Sequence, residues 1–222
     1  MFHEGLKDEV PDGCRDSHPY RVCHCGLDLP GSSRRGRSRC QGVALPERGP
    51  RLLAGWNVPY EDGQILYGLV LKGNCRNILE IGTSTGHSTI WLAWAASKTG
   101  GKVITIEIDE ERHRAALENF RKAGVADLID ARLGDAHDMV PALKGPFDFV
   151  FSDADKEWYL QYFKDLEAKM SLNGCFTAHN VLWQHDPGIR RFLDYVRKDP
   201  RFRTTVEEGS GEGISVSHKI AN

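Results

Sequence analysis

Two short stretches hold the densest set of reactive side chains in the chain. FDFVFSDADKEWY sets Asp153 and Asp155 at the end of an apolar run, with Lys156 directly after them. FTAHNVLW sets His179 and Asn180 at the end of another. If the two runs are neighbouring strands, an aspartate, an imidazole and a carboxamide converge on one edge of a sheet. They offer oxygen, nitrogen and oxygen donors, the mixture a divalent metal takes. An Asp-x-x-Lys pair alone is an ordinary salt bridge at a helix start. The coincidence of two strand ends gives this one chemical meaning.

A second set surrounds a glycine-rich turn. LEIGTSTGHSTIWLA runs from an apolar segment holding Glu80 through Gly82, Thr83 and Gly86 into a helical pattern that takes in Ser88. The glycines allow a tight turn and a close approach of backbone to a ligand. The loop lacks the GxGxxG dinucleotide fingerprint, and no GK[ST] follows it. Glu107 ends the next apolar run, VITIEID. A carboxylate there can accept both hydroxyls of a ribose. The competing reading is a solvated acid at a helix start, although Asp109 is the better N-cap. Asp135, in GDAHD, follows a further strand. It either meets an adenine edge or caps the short helix behind it.

These residues need a scaffold that brings them to one edge, and the hydrophobic pattern supplies it. From Leu52 onward, helical and strand-like segments alternate. EDGQILYGLVLKG reads as a helix, NILEIG as a buried strand, STIWLAWAASK as a helix closed by Gly100, and KVITIEID as a strand. EERHRAALENFRKAG is a helix with Gly124 at its end. LIDARLGD and FDFVFSD are strands around a short helix near 136–143. KEWYLQYFKDLEAKM reads as one helix, GCFTAHN as a strand, and PGIRRFLDYVRKD as a helix opening on Pro187. FRTTVEE and GISVSHK close as an antiparallel pair. Such alternation predicts a mostly parallel sheet covered on both faces. Ligands in these sheets sit beyond the carboxyl ends of the strands, near the switch point.

Composition narrows the partners. The 222 residues carry a formal net charge of -2, so no global basic field points to nucleic acid. Hydrophobic residues are 40% and charged residues 27%, ordinary for a soluble domain. No apolar run approaches the roughly 18 residues of a membrane helix, and the opening MFHEGLKDEVPDG lacks a signal-peptide core. The expected compartment is the cytoplasm. Residues 1–50 read as a flexible low-complexity segment rich in Gly, Pro, Ser, Arg and Cys. Its Cys14, Cys23, Cys25 and Cys40, with His18 and His24, could hold zinc, but no CxxC pair is present, and a reduced tail is the simpler reading.

Taken together, these residues resemble the class I S-adenosylmethionine-dependent methyltransferases. More narrowly, they resemble the metal-dependent small-molecule O-methyltransferases of the catechol and caffeoyl-CoA type. The likeness runs from about Asn57 to the C-terminus. It rests on NVPYEDGQIL, LEIGTSTGHSTIWLA, VITIEID, GDA, FDFVFSDADKEWY and HNVLW, in that order. It implies that residues 51–222 form a Rossmann-like α/β domain. Its seven-stranded sheet would be parallel except for one antiparallel strand near the edge, with helices on both faces. The implied cofactor is S-adenosylmethionine, and the expected assembly a homodimer.

The resemblance also assigns roles. Glu80, Gly82 and Ser88 surround the methionine part of the cofactor, Val58 contacts it, and Thr83 and Gly86 also belong to the cofactor site. Glu107 binds the ribose, and Asp135 and Ala136 lie beside the adenine. Asp153 contacts the cofactor and, with His179 and Asn180, stands where the family's metal ligands stand. Lys156 stands where its catalytic base stands. Glu212, in GSGEGISV, matches a partner of the substrate hydroxyl. One departure matters: the family has Asp-Asn where this chain has His179-Asn180. Imidazole suits Zn²⁺, Mn²⁺ or Fe²⁺ better than the family's Mg²⁺.

The implied reaction is methyl transfer from the sulfonium to a hydroxyl of a small aromatic, catechol-like acceptor. A phenol starts with a pKa near ~10. A chelating metal lowers it, and Lys156 takes the proton. Trp56, Trp158 and Trp183 either wall a flat acceptor or pack the core. Two other readings use the same cofactor: methylation of a hydroxylated RNA base, which the basic segment 34–39 favours, and cofactor binding without catalysis, which the changed metal site favours. An NAD-dependent oxidoreductase is disfavoured by the missing GxGxxG.

Overall fold

The computed structural model describes residues 57–183 and 185–222. Readings that fall on the first 56 residues, including the cysteine-rich segment and Trp56, lie outside the described residues. The chain divides into two units at Glu47 and Arg48, and the sheet and its helices belong to the second.

Short apolar runs form the strands, and amphipathic or apolar segments between them form the helices. In chain order these are α1 (Tyr60–Gly73), β1 (Asn77–Ile81), α2 (His87–Thr99), β2 (Lys102–Glu107), α3 (Glu110–Lys122) and β3 (Ile129–Leu133). There follow α4 (Ala136–Ala142), β4 (Phe147–Ser152), α5 (Tyr159–Leu166), β5 (Met170–His179), α6 (Pro187–Val196), β6 (Phe202–Glu207) and β7 (Ile214–Lys219). The strands make one seven-stranded sheet in the order β3-β2-β1-β4-β5-β7-β6. β7 runs antiparallel to both β5 and β6, and the other pairings are parallel. This is the architecture expected from the alternating pattern. The closing antiparallel pair and the Pro187 start of α6, capped by Asp186, are also as read.

Both faces of the sheet are covered, which is why β1 and β4 read as nearly continuous apolar runs. One face packs α4, α5 and α6 through a cluster that includes Tyr159, Phe163, Phe176, Phe192 and Phe202. The ring of Phe163 lies 4.8 Å from that of Phe202 and 5.2 Å from that of Phe176, both edge-on. The other face packs α1, α2 and α3 through Leu66, Val70, Ala93, Ala96 and Phe120. The closeness of α1 and α2 depends on Gly63, where any Cβ would collide with the Trp91 indole.

Two segments differ from the reading. KEWYLQYFKDLEAKM is not one helix. A 3₁₀ turn at Lys156–Trp158 precedes α5, another at Glu167–Lys169 ends it, and Met170 already belongs to β5. Asp155 stands at the N-cap position of the first turn but makes no cap bond. Its carboxylate accepts instead from the Tyr162 hydroxyl at 2.8 Å. At the other end, Met170 pairs with Phe147 across a register irregularity, which lengthens β5 backwards. Among the described residues, no helix is long and apolar enough to cross a membrane.

Register levels the strand ends. Ile81 of β1 pairs with Ile106 of β2 and with Ser152 of β4, and Ser152 pairs with Ala178 of β5. The residues that leave the sheet at that level are therefore Gly82, Glu107, Asp153 and His179. They are the residues the sequence singles out for chemistry.

Candidate functional site

A cleft of about 760 Å³ opens over this edge, across the point between β1 and β4 where strand order reverses. Gly82 makes the junction possible. It sits at φ 97°, and an added Cβ would lie 2.7 Å from the Asp153 carbonyl oxygen. Backbone bonds continue past the strand ends: Gly82 and Thr83 donate to Ile106 at 3.0 and 3.2 Å, and Asp153 donates to Ile81 at 2.9 Å. The loops after β1 and β4 are thus fixed to each other by the sheet.

One half of the cleft is built on Glu107. Ser84, held at φ 50°, donates its N–H to Glu107 Oε2 at 2.6 Å, and Asp109 donates to Oε1 at 3.0 Å. Each carboxylate oxygen keeps a second lone pair for a ligand hydroxyl. The helix-start role falls to Asp109, which caps α3 by accepting from Arg112 N at 2.8 Å. Asp135 takes the capping role and also borders the cleft. It caps α4 through His137 N at 2.8 Å, and with Ala136 it lines the cleft. Val58, Gly82, Thr83 and Ser88 also line the cleft. The Val58 segment is pinned to the glycine loop by two bonds: Thr85 donates to Asn57 Oδ1 at 2.8 Å, and the His87 ring meets the Val58 carbonyl at 2.7 Å. Burial lowers the pKa of His87 despite that bond, so the ring is neutral and donates.

Glu80 and Gly86 do not reach the cleft wall. Gly86 caps α2 in the left-handed conformation. Glu80 lies fully buried beneath the turn, where its Oε2 accepts from Thr105 at 2.6 Å and from the Thr89 hydroxyl. Its Oε1 is buried without a partner. Burial pushes the Glu80 carboxyl up to about 7, against the hydrogen bonds of Ser88, Thr105 and Thr89 that favour its charge. Successive side chains of β1 point to opposite faces, and Glu80 points into the covered α2 side.

The other half holds Asp153, Lys156, His179, Asn180, Trp183 and Glu212. Lys156 Nζ lies 2.8 Å from Asp153 Oδ1 and 2.8 Å from the Tyr159 hydroxyl. Tyr159 in turn donates to the His179 carbonyl at 3.2 Å. The His179 ring lies between two carboxylates: Nε2 is 2.8 Å from Asp62 Oδ2, and Nδ1 is 3.3 Å from Asp153 Oδ2. Asp62, on α1, is completely buried and also accepts from Ser210 N at 2.9 Å and Ser210 Oγ at 2.8 Å. Asn180 adopts φ 57° and donates to Glu212 Oε2 at 3.2 Å. Backbone bonds from Val181 to Gly213 and from Leu182 to Glu212 hold this turn against the β6–β7 connection.

The charges in this half agree with one another. Burial works against a charged His179 ring, but the hydrogen bonds and charges of Asp153 and Asp62 outweigh it and raise its pKa to about 9. Burial also opposes ionised Asp153 and Asp62, yet both are held below the usual carboxylate value. His179 does this for both, assisted by the Lys156 charge at Asp153 and by Ser210 at Asp62.

The donor set does not fit the divalent ion that the resemblance implies. His179 Nε2 is bonded to Asp62, Asp153 Oδ1 meets Lys156, and His179 Nδ1 lies 3.3 Å from Asp153 Oδ2 without hydrogen-bond alignment. Of the expected trio Asp153, His179 and Asn180, only the Asn180 carboxamide is without a charged partner from that trio. Among the described residues, no three His, Cys, Asp or Glu side chains are grouped to hold a metal ion. Sequence shows a histidine's position but not what its ring faces.

Sequence reasoning passed over Asp62, whose only signal is an acid at the start of a helix in NVPYEDGQIL. It also passed over His137, which lines the cleft with its ring stacked 3.6 Å from that of Trp158. Trp158 packs behind His137, and Trp183 stands half exposed at the cleft.

Comparison with known proteins agrees with this geometry. The family model described as O-methyltransferase matches residues 48–216. Caffeoyl-CoA O-methyltransferase 1 of Eucalyptus globulus is 32% identical over 191 residues, covering 75% of this chain and 77% of that protein. A catechol O-methyltransferase of Niastella koreensis is 40% identical over 112 residues, 49% of this chain and 50% of that one. The O-methyltransferase TomG of Streptomyces achromogenes, solved in complex with SAM, superposes with a TM-score of 0.69 at 29% identity, covering 74% of this chain and 82% of that one.

Proposed function

The chain belongs to the O-methyltransferase family, and from that membership we propose that it moves the sulfonium methyl of S-adenosylmethionine to a hydroxyl of a small aromatic, catechol-like acceptor. The observation that carries the reading is the levelled strand edge. It sets the Glu107 carboxylate, suited to ribose hydroxyls, and a lysine–carboxylate pair, Lys156 and Asp153, along one cleft. A methyl donor in one half would face an acceptor oxygen in the other.

In this reading Glu107 accepts the ribose hydroxyls, and Asp135 and Ala136 border the adenine. Val58, Gly82, Thr83 and Ser88 border the methionine part, and Asp153 meets its ammonium. The acceptor lies toward Lys156, Asn180 and Glu212, with Trp183 against its ring. The acceptor oxygen forms a bond to the methyl carbon as the carbon–sulfur bond breaks, leaving S-adenosylhomocysteine. The Lys156 ammonium first gives a proton to solvent, and the freed amine takes the hydroxyl proton, which restores the cation. Alignment of oxygen, carbon and sulfur supplies much of the rate. Relatives named for catechol and for caffeoyl-CoA support an aromatic hydroxyl acceptor. No step runs through a metal, because the donor set does not fit one.

The test is methyl transfer from labelled S-adenosylmethionine to a panel of catechols and dihydroxycinnamoyl esters, beside calorimetric titration of the cofactor. Cofactor binding with turnover of at least one catechol is expected. Absence of cofactor binding would overturn the proposal.

A further inference from the structure

We infer that this site works without a divalent metal, the His179 ring clamped between Asp62 and Asp153 standing as a built-in cation beside the acceptor. The inference deepens the proposed function and rests on it only for the location of the acceptor.

Three observations carry it. The first is the geometry of the ring. A neutral imidazole has one N–H donor and one lone-pair nitrogen. Here Nε2 is hydrogen-bonded to Asp62 Oδ2 (2.8 Å), and Nδ1, buried without an aligned hydrogen-bond partner, lies 3.3 Å from Asp153 Oδ2. A lone pair on either nitrogen would lie within 3.3 Å of an anionic oxygen. The arrangement suits the doubly protonated ring, which has no electron pair to give a metal.

The second is that the clamp is anchored. Asp62 is fully buried and takes two hydrogen bonds from Ser210 besides the one from His179. Gly209 packs so closely that an added Cβ would collide with the Asp62 carboxylate. A His179 ring that swung out to meet a metal would leave a buried carboxylate without its counter-charge, a costly state.

The third is the charge balance. Asp62 and Asp153 are met by Lys156 and His179, so two negative charges face two positive ones. An aspartate at 179, the residue the family carries there, would leave three negative charges against one. That surplus is what a dication neutralises. With histidine in place the four groups of the clamp balance, with Glu212 a further carboxylate beside Asn180, and Asp153 has a cationic group within 3.3 Å of each oxygen.

The experiment titrates Mn²⁺ into the full chain with S-adenosylmethionine present, following the electron paramagnetic resonance of the free ion, for the native protein, Asp153→Asn and His179→Asp. Mn²⁺ avoids the thiolate affinity of zinc for the N-terminal cysteines. Native protein and Asp153→Asn are expected to take up Mn²⁺ equally, with no component lost on removing Asp153, and methyl transfer should be unchanged by exhaustive chelation. His179→Asp should gain a stoichiometric, chelator-reversible site. A native site lost in Asp153→Asn would overturn the inference. If His179→Asp does not fold, ¹⁵N spectra of the native ring decide. Two protonated nitrogens, unmoved by Mg²⁺, are expected, and one bare nitrogen that shifts with the ion would overturn it. The Mn²⁺ and ¹⁵N readouts need no acceptor, so failure of the proposed activity is a separate result.

Discussion

His179 Nε2 and Asp62 Oδ2 meet at 2.8 Å, joining the end of β5 to the first turn of α1 across 117 positions of sequence. The side chains are 4% and 0% exposed, so the pair is sealed from water. It ties the helix that borders the glycine loop to the strand that carries the acceptor side of the cleft. Removing one partner leaves the other as an unpaired charge in the interior. Asp62→Ala is therefore expected to destabilise the fold by about 3–5 kcal/mol. Urea unfolding followed by tryptophan fluorescence measures it. A loss well under 1 kcal/mol would mean that the pair is solvated.

The same clamp sets a pH dependence. His179 has a folded-state pKa of about 9 against an ordinary 6.5, raised by Asp153 and Asp62 against the opposing effect of burial. A group raised on folding stabilises fully below its unfolded pKa, and the contribution disappears as pH rises through the folded one. Unfolding free energy should fall between about pH 6.5 and pH 9, by at most about 3 kcal/mol. Glu80 supplies a separate window: burial raises it from 4.5 to about 7, so its contribution is lost between those values. Denaturation curves across pH for the native protein, His179→Asn and Glu80→Gln assign the two windows. A native curve flat between pH 7 and 9 would show that the ring is not held as a cation.

The cofactor half has its own test. Glu107 accepts backbone N–H bonds from Ser84 and Asp109 and, in the proposed function, two ribose hydroxyls. Glu107→Gln keeps the shape and removes the charge. Affinity for S-adenosylmethionine should fall by about 1–3 kcal/mol, the scale of charge-assisted hydrogen bonds. Isothermal titration reads this directly, and an unchanged constant would remove Glu107 from the ribose site.

The strand ends were legible because a buried parallel strand is a short apolar run, and the first polar residue after it must leave the sheet. That rule alone gathers Gly82, Glu107, Asp135, Asp153 and His179 at one edge. What a side chain faces was not legible. Glu80 interrupts a run covered on both sides, so no polar–apolar alternation tells which face it takes. Asp62 looks like any acid in a first helical turn, where the helix dipole favours it in solvent. Its burial depends on Ser210 and His179, which reach it only in the folded sheet. The broken helix after Lys156 was hidden for a similar reason, since Asp155 has the right identity for a cap but spends its carboxylate on Tyr162.

Gly82 and Gly100 separate backbone strain from close packing at the cleft. Both have positive φ, 97° and 73°. Around Gly100 an added Cβ meets nothing within 4 Å, whereas at Gly82 it would lie 2.7 Å from the Asp153 carbonyl oxygen and 2.9 Å from its carbon. Gly100→Ala should therefore cost only the left-handed strain, about 1–2 kcal/mol, and leave cofactor affinity alone. Gly82→Ala bears that strain and must also push the β4 loop away from the β1 loop, carrying Asp153 and Lys156 with it. It should lose more stability than Gly100→Ala and weaken S-adenosylmethionine binding as well. Thermal unfolding and cofactor titration on both variants supply the comparison. Equal effects on stability with intact binding would mean that the two loops yield freely. The cleft would then not depend on their contact.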